Sequence, residues 1–190
     1  MKKETIYIKN MCCQRCVEAV HQELSLLGLK VETVKLGEAT FAEFVSVSRG
    51  TISDSLKKRG FELIVSEDDR IVEAVKTAII ELIHQPKNNI DFKIHLSEYL
   101  EEKIKKSYRY IHKLFLEQSQ LTIEKYAILQ RIEKVKELIE ENRFNFSEIA
   151  HMVGYKTQQH LSAQFKKTTG MSMLKYKNSK DENRKGLDKI

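Results

Sequence analysis

The chain has 190 residues, 41% of them apolar and 32% charged, with a formal net charge of +6. It holds no apolar run of about 18 residues, which excludes a transmembrane helix, and its start lacks the apolar core of a secretory signal. A soluble, cytoplasmic protein is therefore expected. The charge is uneven. Residues 1–67 carry 10 Lys/Arg against 9 Asp/Glu, whereas residues 143–180 carry 7 Lys/Arg against Glu148 alone. That imbalance suits a polyanionic partner for the C-terminal half.

In chain order, Thr5-Ile6-Tyr7-Ile8 alternates like a strand, and Val17, Val20, Leu24 and Leu27 follow at helical spacing up to Gly28. Val31, Val34 and Leu36 lead into the turn Gly37-Glu38 and a strand around Ala39 to Phe44. A helix over Thr51–Arg59 stops at Gly60, and Phe61–Val65 reads as a last strand. The order strand, helix, strand, strand, helix, strand in residues 1–67 predicts a ferredoxin-like α+β domain. After Glu67-Asp68-Asp69 the pattern is helical. Ile71, Val72, Val75, Ile79, Leu82 and Ile83 mark one buried face of a helix that Pro86 ends, and this helix abuts both halves. Further helices are predicted over 96–104, 107–118, 122–141, 146–153 and 158–169, and the polar tail 178–190 is expected to be disordered. The fold class is thus α+β followed by an all-α domain over 68–177.

The three cysteines, Cys12, Cys13 and Cys16, crowd into five positions. A disulfide framework would spread them, so the cluster points to metal binding or thiol redox chemistry in a reducing compartment. Cys16 falls in the first turn of a helix, where free N–H groups and the helix dipole favour thiolates. Cys13 and Cys16 can clamp Cu(I), and a third sulfur or an imidazole would extend the site toward Zn(II). Met11 reads as a core residue beneath the loop. His21, one turn beyond Cys16, is the remaining candidate ligand and is not taken as one.

The C-terminal half contains a repeat. Leu96-Ser97-Glu98-Tyr99-Leu100, a turn at Lys105-Lys106-Ser107, and Tyr108–Phe115 match Phe146-Ser147-Glu148-Ile149-Ala150, a turn at Gly154-Tyr155-Lys156, and Thr157–Phe165. In each, Ser is expected to cap the first helix and Glu to meet its dipole. Ile111/Phe115 and Leu161/Phe165 would pin the second helix and free its other face for a major groove. The amphipathic helix between them (Ile123, Tyr126, Leu129, Ile132, Val135, Leu138, Ile139) is long enough to hold two such helices about one DNA turn apart.

Residues 69–177 resemble the DNA-binding domain of the AraC/XylS regulators. The resemblance rests on Arg131–Leu138, on Ser147-Glu148-Ile149-Ala150 with Val153-Gly154-Tyr155, and on Phe165-Lys166-Lys167-Thr168-Thr169-Gly170-Met171-Ser172. Departures are Met173 in place of the family's proline, a first turn without glycine, Leu161 in place of an aromatic, and no basic residue at Ala163. The resemblance implies that Arg109, His112 and Lys113, then Gln158, Gln159, His160 and Ser162, face base edges, while Lys156, Lys166 and Lys167 meet phosphates. Arg and Lys pair with guanine and Gln with adenine. Residues 1–66 resemble the heavy-metal-associated domain of copper chaperones and metal-transporting ATPases, through Asn10-Met11-Cys12-Cys13-Gln14-Arg15-Cys16 and Gly60-Phe61. That implies a thiolate-bound metal at Cys13 and Cys16, with Cys12 as an added thiol, and Cu(I) favoured over Zn(II).

The combined expectation is a sequence-specific transcriptional regulator that responds to a thiophilic metal. Its partners would be double-stranded DNA and RNA polymerase, not a membrane. The alternatives are a thiol redox sensor and a regulator whose N-terminal domain serves as a docking module. No catalytic residues are expected.

Overall fold

A computed structural model describes residues 3–42, 47–84, 95–179 and 184–190. The chain forms two compact units, Met1–Thr77 and Ala78–Ile190, and the division falls within one helix, Glu67–His84.

The first unit runs β1 (Glu4–Lys9), α1 (Gln14–Leu26), β2 (Val31–Lys35), β3 (Glu38–Phe41), α2 (Arg49–Lys58) and β4 (Glu62–Ile64), followed by the start of α3 (Glu67–His84). The strands pair antiparallel in the order β2-β3-β1-β4. Alternation along β1 buries Ile6 and Ile8, and Val20 and Leu24 of α1 and Ile52 and Leu56 of α2 are fully buried as well. Gly28 and Gly60 end the two helices at positive φ, as their places in the sequence predict. Phe44, expected in the third strand, and Pro86, expected to end α3, lie outside the described residues. The acidic run Glu67-Asp68-Asp69 forms the first turn of α3, where it meets the positive end of the helix dipole. Ser66 Oγ accepts the Asp69 N–H there at 3.0 Å. Three bonds tie this turn to β1 and the loop after it: Lys9 Nζ to Asp69 at 2.8 Å, Arg70 to the Tyr7 hydroxyl at 3.0 Å, and the Asn10 N–H to Glu73 Oε1 at 3.0 Å.

The second unit, after the end of α3, contains α4 (Leu96–Ile104), α5 (Tyr108–Ser119), α6 (Ile123–Glu141), α7 (Phe146–Met152), α8 (Gln158–Thr169), α9 (Met173–Asn178) and a 3₁₀ turn at Leu187–Lys189. It is a structural duplication. Ile111 and Phe115 of α5 are fully buried, as are Leu161 and Phe165 of α8. The Ser119 hydroxyl donates to Phe115 O at 2.6 Å, and that of Thr169 donates to Phe165 O at 2.8 Å. Thr122 Oγ1 then caps α6 by accepting the Lys125 N–H, and Ser172 Oγ caps α9 by accepting the Lys175 N–H, both at 3.1 Å. The short helix α9, not foreseen from the pattern, is thus the counterpart of the first turns of α6.

Two local expectations need correction. Ser147 does not cap α7: Asn145 does, accepting the Ser147 and Glu148 N–H groups at 3.0 Å, while Glu148 Oε2 accepts the Asn145 N–H at 2.7 Å. The Asn-x-x-Glu spacing puts both acceptors in reach, completing a capping box. Likewise Ser97 does not cap α4, whose N-cap residue is His95 without a side-chain bond. The first turn lacks glycine, yet Lys105 takes the left-handed conformation (φ 59) that Gly154 takes in the second (φ 81).

Helix α6 is the hub of this unit. Its apolar residues pack on the second-repeat core of Ile149, Val153, Leu161, Phe165 and Met173. Gln130, Glu133 and Lys136 are buried as well, so the helix is covered on more than one face. Each of these three side chains has a partner. Gln130 Nε2 donates to the Tyr126 hydroxyl at 2.9 Å, and Lys136 pairs with Glu133 at 2.7 Å. Residues 184–190 of the tail return to this helix: Lys185 N–H reaches Glu133, Arg184 reaches Glu137, and Leu187 O accepts from Gln130. The glutamates at positions 133, 137 and 140 share one side of α6, which gives the otherwise polar tail a place to bind.

Candidate nucleic-acid interface and thiol cluster

In α8 the buried pair Leu161/Phe165 fixes which side faces outward. Residues two positions away from each lie opposite it, at about 100° per residue. The exposed face therefore carries Gln159, Ala163, Lys166 and Lys167, with Gln158 and His160 at its leading end. The Thr157 hydroxyl caps the helix by accepting the His160 N–H, leaving the first-turn side chains clear. Lys156 is exposed in the turn. Ser162 is placed differently: it is half-buried, and its hydroxyl donates to Met173 Sδ at 3.6 Å. Ala163, noted in the sequence for its lack of a basic side chain, lies centrally on the outward face.

In α5 the same construction exposes Arg109, Tyr110, Lys113 and Leu116. Lys113 pairs at 3.8 Å with Glu117, one turn on, an exposed contact that solvent screens. His112 turns toward α6: its Nε2 lies 3.7 Å from Glu124, and its ring stacks at a tilt on Tyr108 with centroids 5.8 Å apart. The Tyr108 hydroxyl also donates to Glu124. Burial and this carboxylate push the Tyr108 phenol up. Tyr108 and Glu124 thus hold His112 at the edge of the outward face. Tyr110 and Leu116 were missed by the sequence reading, although the i, i+4 pinning by Ile111 and Phe115 implies their exposure.

The thiol cluster sits where β1 passes into α1. Cys13 is the N-cap residue, its carbonyl accepting the Cys16 and Val17 N–H groups at 3.0 and 3.3 Å. Cys16 lies in the first turn. The Sγ atoms of Cys13 and Cys16 are 3.6 Å apart, those of Cys12 and Cys16 are 3.8 Å apart, and all three lie within 4.8 Å of one another. All are half-buried. Burial raises the Cys13 thiol, but bonds from the Cys16 and Arg15 backbone and from the Cys16 and Cys12 thiols outweigh it, and the net direction is down. Cys12 moves the other way, raised by burial and by the charge of Cys16 and Cys13. Of these two thiols, Cys13 is the readier thiolate.

The loop is anchored from below. Met11 is buried in the core, so it is not a surface ligand. Asn10 takes φ +70, a left-handed conformation that favours Gly and admits Asn. Its side chain donates to Gly60 O at 3.0 Å, and its N–H donates to the buried Glu73. Among the described residues no His, Asp or Glu joins the three thiols, so His21 is not brought to them. The donor set fits a soft metal: sulfurs about 2.3 Å from a tetrahedral ion are about 3.8 Å apart, close to the Cys13–Cys16 and Cys12–Cys16 spacings.

Among the described residues no helix is long and apolar enough to cross a membrane. A family model described as a helix-turn-helix domain matches residues 100–179. No curated relative matches the chain. Among solved structures, the chain is similar to the C-terminal domain of AraT, a response regulator from Geobacillus stearothermophilus, at 24% identity and a TM-score of 0.51, covering 63% of this chain and 95% of that one. It is also similar to the transcriptional regulator CdpR from Pseudomonas aeruginosa, at 16% identity and a TM-score of 0.47, over 84% of this chain and 51% of that one. The AraT likeness establishes a shared fold. Residues 100–179 of the second unit thus match a helix-turn-helix domain.

Proposed function

We propose that the chain is a sequence-specific, AraC-type transcriptional regulator, whose first unit is a ferredoxin-like, heavy-metal-associated domain binding a thiophilic metal at Cys13 and Cys16 with Cys12 alongside. The observation that carries the DNA-binding part is the pair of outward faces left by one duplicated core. On this reading the exposed Arg109, Lys113, Gln158, Gln159 and His160 reach base edges, and the exposed Lys156, Lys166 and Lys167 reach phosphates. His112 serves from the rim, and Ser162 reaches a base only by leaving Met173. RNA polymerase is the natural further partner of such a regulator, and the cytoplasm its place.

The metal part rests on the half-buried thiols meeting at one point and on the βαββαβ order with its sheet order β2-β3-β1-β4. When bound, the metal draws the thiols into the thiolate form. Asn10, held between Gly60 O and Glu73, keeps the loop in shape. The metal state then alters operator affinity, which requires a difference in interaction free energy between loaded and empty forms. A redox reading is favoured only by the 3.6 Å approach of Cys13 to Cys16. The test is selection of an operator from random duplexes by the full chain, followed by binding to it with and without Cu(I) under anaerobic conditions. An operator with affinity unaffected by metal leaves the DNA-binding reading standing and removes metal sensing.

A further inference from the structure

We infer that the thiol cluster is a three-coordinate site, with Cys12 as a true ligand, selective for Cu(I) over Zn(II). This rests on the metal reading above, with its preference for Cu(I), and goes beyond it by making Cys12 a ligand and fixing the coordination number.

The argument is geometric. An ion held linearly by two sulfurs at about 2.3 Å separates them by about 4.6 Å, whereas three sulfurs around one ion lie about 3.8 to 4.0 Å apart. Cys13 and Cys16 stand at 3.6 Å and Cys12 and Cys16 at 3.8 Å. A two-sulfur clamp would have to open by about 1 Å. A three-sulfur site finds two of its three spacings close to the required value, with all three sulfurs within 4.8 Å of one another.

The position of Cys12 supports the same reading. It follows buried Met11 and the left-handed Asn10, whose two hydrogen bonds fix the direction of the chain into the cluster. Cys12 is only half-buried and could have pointed to solvent, yet its sulfur lies against Cys16.

Ion choice follows from what is missing around the sulfurs. Zn(II) in structural sites takes four protein ligands. Among the described residues no carboxylate or imidazole completes the set, so Zn(II) would have to keep a solvent ligand. Cu(I) is soft, prefers thiolates and is satisfied by three. The three sulfurs thus satisfy Cu(I) as they stand, whereas Zn(II) needs a fourth ligand that the described residues do not add.

The test uses the full chain, reduced and anaerobic, titrated with Cu(I) against a chromophoric chelator and separately with Zn(II). X-ray absorption on the copper form reads the number of sulfurs. Three sulfurs in the wild type and two in Cys12→Ser, with at least about tenfold weaker Cu(I) binding in that variant, support the inference. Cys12→Thr should behave like Cys12→Ser, and circular dichroism of both variants should match wild type. Two sulfurs in the wild type, or equal Cu(I) affinity in well-folded Cys12→Ser, overturns it while leaving a Cys13/Cys16 metal site intact. Tighter Zn(II) than Cu(I) binding overturns the selectivity. No binding of either ion overturns this inference and the metal reading together.

Discussion

Phe165 meets Tyr176 edge-on with ring centroids 5.6 Å apart, and fifty residues earlier Phe115 meets Tyr126 at the same 5.6 Å. Each pair locks the outward-facing helix of one repeat to the helix that follows it. Tyr176 also donates its hydroxyl to Glu140 at 2.6 Å. Truncating a buried aromatic costs about 3–5 kcal/mol. Phe165→Ala should therefore lower the unfolding free energy by about that much and abolish specific DNA binding, as read by denaturant titration and anisotropy. Tyr176→Phe keeps the ring contact and should cost only about 1 kcal/mol.

The two classes of DNA contact should separate by salt. Gln159→Ala is expected to weaken binding to the selected operator by about 1–3 kcal/mol, with little change on random duplex. Lys166→Ala should weaken both alike and reduce the slope of log K against log salt by about 1. Ser162→Ala should change neither, because its hydroxyl is engaged with Met173.

His84 gives the second unit an acid limit. Burial lowers its pKa despite the bond to Gln130, whose Oε1 accepts from Nε2 at 3.1 Å. A histidine with a folded pKa below its unfolded value of about 6.5 binds fewer protons folded than unfolded, so its contribution is full above that pH and is lost as pH falls below it. The urea midpoint of the second unit should drop between pH 7.5 and 5.5. His84→Gln should flatten that drop. An unchanged profile in the variant would remove His84 as the cause.

Much of this was legible in the sequence because apolar spacing dictates it. The Ile111/Phe115 and Leu161/Phe165 pairs, the long central helix and the strand-helix order of residues 1–67 all follow from which residues must be buried. What escaped depended on neighbours distant in sequence or on competing caps. Ser147 was a plausible cap until Asn145, two residues earlier, took both N–H groups. α9 is too short for periodicity to reveal, and only the Thr122/Ser172 correspondence announces it. Glu124 holding His112, and Glu73 holding the thiol loop, join residues 12 and 63 positions apart, and no local pattern encodes either contact.

Metal should also show as stability. A ligand that binds only the folded form stabilises by RT ln(1 + [L]/Kd), about 4 kcal/mol at a thousandfold excess over Kd. Cu(I) added anaerobically should raise the melting temperature of the wild type, and a chelator should reverse the rise. Cys13→Ser/Cys16→Ser should melt at one temperature with or without copper.

The most direct measurement compares operator affinity of the empty and Cu(I)-loaded full chain, at one fixed salt concentration, in wild type and in Cys13→Ser/Cys16→Ser. A metal-dependent change of at least about fivefold in the wild type, absent from the double variant, is the predicted result. Equal affinities of the empty and loaded wild type would contradict a metal-responsive regulator.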